Sequence, residues 1–235
     1  MSFIINPYNF GSAFNPLSLS PAVWLDASDA STLYDATTGG NLVAPNGTIA
    51  RWEDKSGNLR HATQVSGTKP IRIVSMLNGL DVASFQLISD GLIIPYSMAR
   101  PCTLFLVCNQ VEGANRRVIN SRTNNALIAP SRNDGYACYD GVIIKASSWS
   151  SSNEWLVTTL VSSISQTNLY KNGTNLNSVN NASRDWGLLG LGKDGLINYE
   201  GCFGNIAEIL VFPTALSTTN RQAVESYLRT KWGTP

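Results

Sequence analysis

The chain has 235 residues, 43% of them hydrophobic, which is enough for one large domain with its own core. Seventeen Lys and Arg against sixteen Asp and Glu leave a net charge of +1, with no basic run or stripe, so nucleic-acid binding is not expected. Charged residues reach only 14%, well below the usual quarter, and Ser, Thr, Asn and Gly fill the gap, as on a turn-rich β surface or a protein outside a cell.

No apolar run reaches transmembrane length, so membrane insertion is not expected. The opening M-S-F-I-I-N-P-Y-N-F has neither a positive n-region nor a long apolar h-region and does not read as a secretory signal peptide. An extracellular place would then need another route, such as release inside a phage particle. Residues 1–20 are rich in Asn, Pro and aromatics and have no clear period. Phe3, Ile4, Tyr8, Phe10 and Phe14 need a burial partner. Two readings stand open: an extended segment wrapping its own domain, or an assembly arm docking on another subunit.

Residues 21–29, P-A-V-W-L-D-A-S-D, give a short apolar strand ending in carboxylates. Gly39-Gly40 and Asn46-Gly47 are turn signals. Trp52 anchors a strand, and 54–58 make a polar turn. Strands are expected at 70–75, 81–88 and 91–95, with Asn78-Gly79 as a turn. Thr103 to Val107 reads as a buried strand. Shorter ones follow at 118–121, 126–129, 135–139 and 142–146, then a core strand at 155–162. Residues 168–171 and 174–179 flank Asn172-Gly173, where both residues accept the positive φ of a type I′ hairpin turn. Asn46, Asn172 and Asn181 fit N-x-[ST] but read as turn residues.

Residues 188–191 lead into Gly201 to Phe212, a strand that looks buried on both faces. Simple alternation puts Ile206, Glu208, Leu210 and Phe212 on one side and Ala207, Ile209 and Val211 on the other. Pro213 ends it, and Ser217 or Thr218 caps a short amphipathic helix. Ala223, Val224, Tyr227, Leu228 and Trp232 share one helical face, with Glu225 and Arg229 as a surface i,i+4 pair. That makes roughly a dozen short strands, spaced about 8–12 residues apart, with one helix, which points to an antiparallel sandwich. No repeat or linker splits 21–235, so the division is an arm, 1–20, and one domain, 21–235.

Cys102, Cys108, Cys138 and Cys202 form no C-x-x-C pair, and the lone His61 is distant in sequence. Cys102 and Cys108 face the same side of one strand, roughly 20 Å apart, too far to bridge. All four read as buried thiols, with disulfides to other partners as the second reading.

Several motifs resemble the laminin-G-like, concanavalin A-like jelly-roll domains of phages and bacteria. They are W-L-D-A-S-D at 24–29, W-E-D-K-S-G-N at 52–58 with His61-Ala62, N-G-L-D-V at 78–82, and W-L-V-T-T from Trp155. L-Y-K-N-G at 169–173, G-x-x-G-x-I-A-E-I-L-V-F at 201–212 and Y-L-x-x-K-W-G at 227–233 complete the set. The resemblance spans 21–233. It implies an all-β, two-sheet antiparallel jelly roll with one short C-terminal amphipathic helix, on a fold that hosts lectins, glycosidases, adhesion modules and virion parts.

A glycosidase would need two carboxylates flanking a sugar bond. The E-x-D-x-x-E and E-x-D-x-E motifs of glucan-cutting relatives are absent, and Glu208 stands alone on its strand. A Ser–His–Asp triad would have to use His61, and no G-x-S-x-G elbow accompanies it. Asp26, Asp29, Asp35 and Asp54 are oxygen donors near strand ends. Calcium would take such a set, and the resemblance implies a calcium site of this kind, with Asp26, Asp29 and Asp54 as the candidates. The same residues also read as caps of backbone groups in turns. Trp24, Trp52 and Trp155 lie in strand patterns and read as core. Trp149 and Trp186 lie in polar stretches and are candidates for stacking on a sugar, together with Arg132, Asn133, Asp134, Tyr136 and Tyr139 of the loop at 131–140. The leading expectation is a non-enzymatic phage protein on the tail or capsid surface. It would join other virion subunits as a homo-oligomer, for which the resemblance makes a trimer common, and could bind host-surface glycans. A bacterial extracellular carbohydrate-binding or adhesion module is the alternative, and a polysaccharide-cleaving enzyme the third reading.

Overall fold

A computed structural model of the chain describes residues 14–64, 67–110, 116–129, 136–139, 141, 143–145, 153–180, 185–193 and 200–235. In chain order the strands are β1 (Val23–Asp26), β2 (Leu33–Tyr34), β3 (Arg51–Trp52), β4 (Ala62–Thr63), β5 (Ile71–Leu77) and β6 (Leu80–Phe85). Then come β7 (Gly91–Met98), β8 (Cys102–Gln110), β9 (Ile119–Ser121), β10 (Leu127–Ile128), β11 (Tyr136–Tyr139) and β12 (Ile143–Lys145). The last are β13 (Leu156–Ser162), β14 (Gln166–Lys171), β15 (Thr174–Asn180), β16 (Gly187–Gly192) and β17 (Gly204–Phe212), followed by α1 (Thr218–Trp232).

The strands form two antiparallel sheets packed as a sandwich, the architecture that the turn spacing predicts. The first runs β15-β14-β13-β8-β17-β6-β5, with β1 also on β17, and the second β12-β11-β10-β9-β16-β7-β4-β3-β2. Between the sheets lies a core that includes Val23, Leu25, Trp52, Leu104, Leu106, Leu189, Ile209 and Val211. A second core covers the outer face of the first sheet, where Phe105, Val107, Leu210 and Phe212 meet Val224, Leu228 and Trp232 of α1. Phe105 and Phe212 pack edge to face, with centroids 5.8 Å apart. Both sides of β8 and β17 are therefore dry, which explains their long apolar runs. Cys102 and Cys108 both enter the inter-sheet core, and all four cysteines are buried and outside any disulfide. Burial and the nearby Asp90 charge push the Cys202 thiol up to about 12.

The tight turns follow their sequence signals. Lys171 pairs with Thr174 across Asn172-Gly173, whose φ angles are 50° and 82°. In α1, Ser217 is the cap, its hydroxyl accepting from Asn220 N at 3.2 Å, and Gly233 ends the helix at φ 63°.

Two details of the expected pattern are corrected. In β17, Ile206 opposes Cys108 while Glu208 opposes the adjacent Val107, so a bulge at Ala207 breaks the alternation. Ile206 faces the inter-sheet core, whereas Ala207 turns outward with Leu210 and Phe212. The bulge sits where β17 exchanges one neighbour for another: Gly204–Ile206 pair with β6, and Glu208–Val211 with β1. In α1, Glu225 is buried and pairs at 2.5 Å with Arg221, not with Arg229. Arg221 lies on the face toward the sheet, its guanidinium 4.0 Å from the Tyr170 ring centroid, and Thr159 donates to Glu225 at 2.8 Å.

Of the arm residues, Phe3, Ile4, Tyr8 and Phe10 lie outside the described residues. Phe14 docks on this chain's own helix, 6.0 Å from the Tyr227 ring, and Leu19 joins the same outer core.

Candidate functional site

The motif residues converge on two structural knots. At the first, β1 and β17 place Asp26 directly opposite Glu208. Two like charges in register repel. Lys231, from the last turn of α1, lies between them, 2.7 Å from each carboxylate. Glu208 is fully buried and also accepts from Trp24 Nε1 at 2.7 Å, Trp232 Nε1 at 2.7 Å and the Tyr227 hydroxyl at 2.9 Å. Glu208 is alone on β17, as its sequence shows, and the carboxylate beside it, Asp26, comes from the neighbouring strand β1. Burial and the charge of Asp26 push the Glu208 carboxyl upward, against the pull of Lys231 and Trp232. Burial also acts to raise Asp26, but Lys231, Ser28 and Lys55 outweigh it and hold that carboxyl below its ordinary value. Burial and the Glu208 charge move the Tyr227 hydroxyl well up.

At the second knot the carboxylates proposed for calcium are occupied by protein donors. Lys55 lies 2.9 Å from both Asp26 and Asp29. Asp29 also accepts from the Ser31 hydroxyl at 2.5 Å. Asp54 accepts from Trp24 N and Ser56 N at 2.9 Å, the Ser56 hydroxyl at 2.7 Å and Arg60 N at 3.0 Å. Asp35 accepts from Asn41 N at 2.7 Å. The structure does bring Asp26 and Asp29 together, but the cation between them is the Lys55 ammonium group. Among the described residues no group of three or more His, Cys, Asp and Glu is placed to hold a metal ion. His61 accepts at Nδ1 from Asp54 N, 3.0 Å away, and so serves the same turn.

The sugar-binding candidates divide. Trp149, Arg132, Asn133 and Asp134 lie outside the described residues. Trp186 is fully buried in the inter-sheet core, so its assignment as an exposed stacking platform is corrected. Its polar neighbour Asp185 turns to solvent and accepts from Arg100 N, while the indole follows the larger gain from burial. Tyr136 and Tyr139 lie on β11, paired opposite Lys145 and Ile143 of the edge strand β12, and Tyr139 is half-exposed.

A further recess lies elsewhere. A cleft of about 920 Å³ opens where loops of the two sheets meet. Gln64 follows β4, Lys69 leads into β5, Gln86 and Leu87 join β6 to β7, and Phe203 precedes β17. It adjoins β7, four strand spacings or roughly 19 Å from β11. Leu87 is 52% exposed and Phe203 38%, so the cleft carries an open apolar surface. Buried Asp90 fixes its wall, accepting from Gln86 N at 2.8 Å, Leu87 N at 2.9 Å and the Thr68 hydroxyl at 2.5 Å. Gly67 has φ 92°, and a Cβ there would stand 2.6 Å from Ser89 O, so the loops meet only through glycine. The side-chain amide of Gln86 and the hydroxyl of Thr48 make no hydrogen bond to described residues and face the solvent, whereas Gln64 donates to Gly67 O at 2.6 Å. In a smaller recess of about 520 Å³ beside Arg60 and Tyr96, Asn58 donates to the backbone of Pro21 and Ala22, and Arg60 to that of Ala22.

Sequence reasoning missed this cleft. The segment Q-L-I-S-D-G at 86–91 reads as the end of one strand and the start of the next, yet β6 stops at Phe85. The available signals were Asp90-Gly91 as a turn pair and Phe203 between turn-forming residues.

No family model and no curated protein matches the chain. Solved structures do share its fold. Domain 4 of AbnA, an extracellular GH43 arabinanase of Geobacillus stearothermophilus in complex with arabinotriose, aligns with TM-score 0.58 and 13% identity over 74% of this chain and 91% of that one. Trypanosoma rangeli sialidase in complex with the inhibitor DANA aligns with TM-score 0.59 and 14% identity, over 88% of this chain but 37% of its own. The receptor binding domain of botulinum neurotoxin C/D mosaic serotype gives 0.58 and 16%, over 92% of this chain and 55% of its own. The chain therefore spans well under two thirds of the sialidase and of the neurotoxin domain. At these identities the likeness is one of fold.

Proposed function

We propose that this sandwich is a non-catalytic glycan-binding module displayed outside the cell that makes it, on a phage tail or capsid in the first reading and on a bacterial surface in the second. The cleft between Gln86 and Phe203 carries the proposal. Sugars present apolar C–H faces and hydroxyl groups together, and this cleft offers an exposed ring and leucine beside an uncommitted amide and hydroxyl. Similar folds in proteins whose structures contain arabinotriose or DANA fit this reading. The absence of catalysis rests on the carboxylates. Asp26 and Glu208 are sealed under α1, and Asp90 in the cleft is committed to backbone and threonine donors.

Binding to a broad glycan array and to bacterial cells tests the proposal. Phe203→Ala and Gln86→Ala should each weaken binding about tenfold without moving the melting temperature. Unchanged affinity in both would remove the cleft as the site. Chelation should have no effect, because lysines hold Asp26 and Asp29. For the display role, deleting residues 2–13, which spares the docked Phe14, should leave the domain folded and stop its incorporation into particles. Normal assembly of the truncated chain would refute that role for the arm.

A further inference from the structure

We infer that the cleft takes acidic glycans, meaning sugars that bear a carboxylate, an inference that rests on the glycan-binding reading above. The basis is an imbalance in how this chain treats its lysines. Lys55 is paired with Asp26 and Asp29, Lys171 with Glu154, and Lys231 with Asp26 and Glu208. Of the lysine side chains that are described, Lys69 and Lys193 alone have no carboxylate partner among the described residues, and both stand at this cleft. Lys69 lines it and is half-buried, its ammonium reaching only the carbonyl of Asp35 at 3.4 Å. Lys193 follows β16 and folds over the rim, its ammonium 3.7 Å from where a Cβ on Gly67 would be.

Among the described lining residues the opposing charge is Asp90, and it is committed to donors of the cleft wall. It is 2% exposed, and both of its oxygens accept from nitrogen or hydroxyl donors of the cleft wall. Two half-buried lysines with no carboxylate partner among the described residues, beside an apolar floor, give the cleft a net positive field at its mouth. A sugar carboxylate would meet that field while its ring lies against Phe203 and Leu87. Partly exposed charge pairs are individually weak and are screened by salt, so the charge selects among glycans more than it anchors them.

The test compares a glucuronate-bearing oligosaccharide with the same oligosaccharide after its carboxyls are reduced to alcohols, by calorimetry at low and high salt. The acidic form should bind about tenfold more tightly at low salt, and the gap should close toward equality near 0.5 M salt. The double variant Lys69→Gln/Lys193→Gln should bind the two forms equally while keeping its affinity for the reduced one. Equal binding by the unaltered chain would overturn the charge selection and leave the glycan reading intact. A preference that survives the double variant would overturn the assignment to these lysines. Failure to bind either form, with no binding on the array, would overturn both readings.

Discussion

The face under α1 and the loop cleft use the same kinds of side chain to opposite ends. Both combine aromatic rings, lysines and buried carboxylates. Under α1 every carboxylate oxygen meets a donor: Trp24, Tyr227, Lys231 and Trp232 converge on Glu208, and Lys231 also bridges to Asp26. In the cleft the carboxylate is equally satisfied, but the lysines have no carboxylate partner among the described residues, and one amide and one hydroxyl are left to solvent. The difference separates a lock from an open surface. A fully satisfied buried polar cluster specifies one arrangement of its parts, whereas open donors beside an exposed ring are available to a ligand.

The comparison breaks most severely at Lys231. Replacing it with Met leaves Asp26 and Glu208 opposed across the strands without their shared cation. Stability should fall by about 3–5 kcal/mol, read from urea unfolding. A change under 1 kcal/mol would mean that the cluster does not hold the helix. Trp232→Ala, which empties the fully buried end of α1 and removes one donor to Glu208, should cost about 3 kcal/mol.

Acid titration gives a smaller effect with two signs. Asp26 has a lowered value in the folded chain, so its contribution is complete above the unfolded value of 3.8 and is lost as pH falls through the lower folded value. Glu208 has a raised value, so its contribution is complete below the unfolded value of 4.5 and is lost as pH rises through the higher folded value. The wild-type urea midpoint should therefore pass through a maximum near pH 4 from these two groups. Glu208→Gln should remove the decline on the alkaline side and keep the acid one. A decline that persists in the variant would place its origin elsewhere. Smallest in stability are Phe203→Ala and Gln86→Ala, which should shift unfolding by less than about 0.5 kcal/mol while reducing glycan binding. A large loss of stability there would make the cleft part of the lock.

Much of the sandwich was legible because it rests on local chemistry. Apolar runs in β8 and β17 mark burial on two sides, Asn172-Gly173 marks its hairpin, and Ser217 and Gly233 bracket the helix. What was not legible depends on pairings distant in sequence. The bulge at Ala207 arises where β17 changes neighbours, and no residue near it announces that change. Glu225 turned to Arg221 because Thr159 and Tyr170 of the sheet receive that side of the helix. Trp186 looked exposed because its neighbours are polar, yet one large ring outweighs them. The cleft was hidden for a related reason. Gln64, Lys69, Gln86 and Phe203 come from three separate connections and share no motif.

The pairing of β1 with β17 also bears on how the chain is made. Trp24 reaches its partner Glu208 across 184 positions of sequence. A ribosome releases β1 long before the strand that completes its sheet exists. Contacts at such separation form late and slowly, so the apolar face of β1 and the strands around it stay uncovered during synthesis. Closure of the first sheet therefore waits until β17 has been made. A chain stopped before Gly204 would keep nearly all of its strands and still lack the one that joins β1, β6 and β8 into a single sheet.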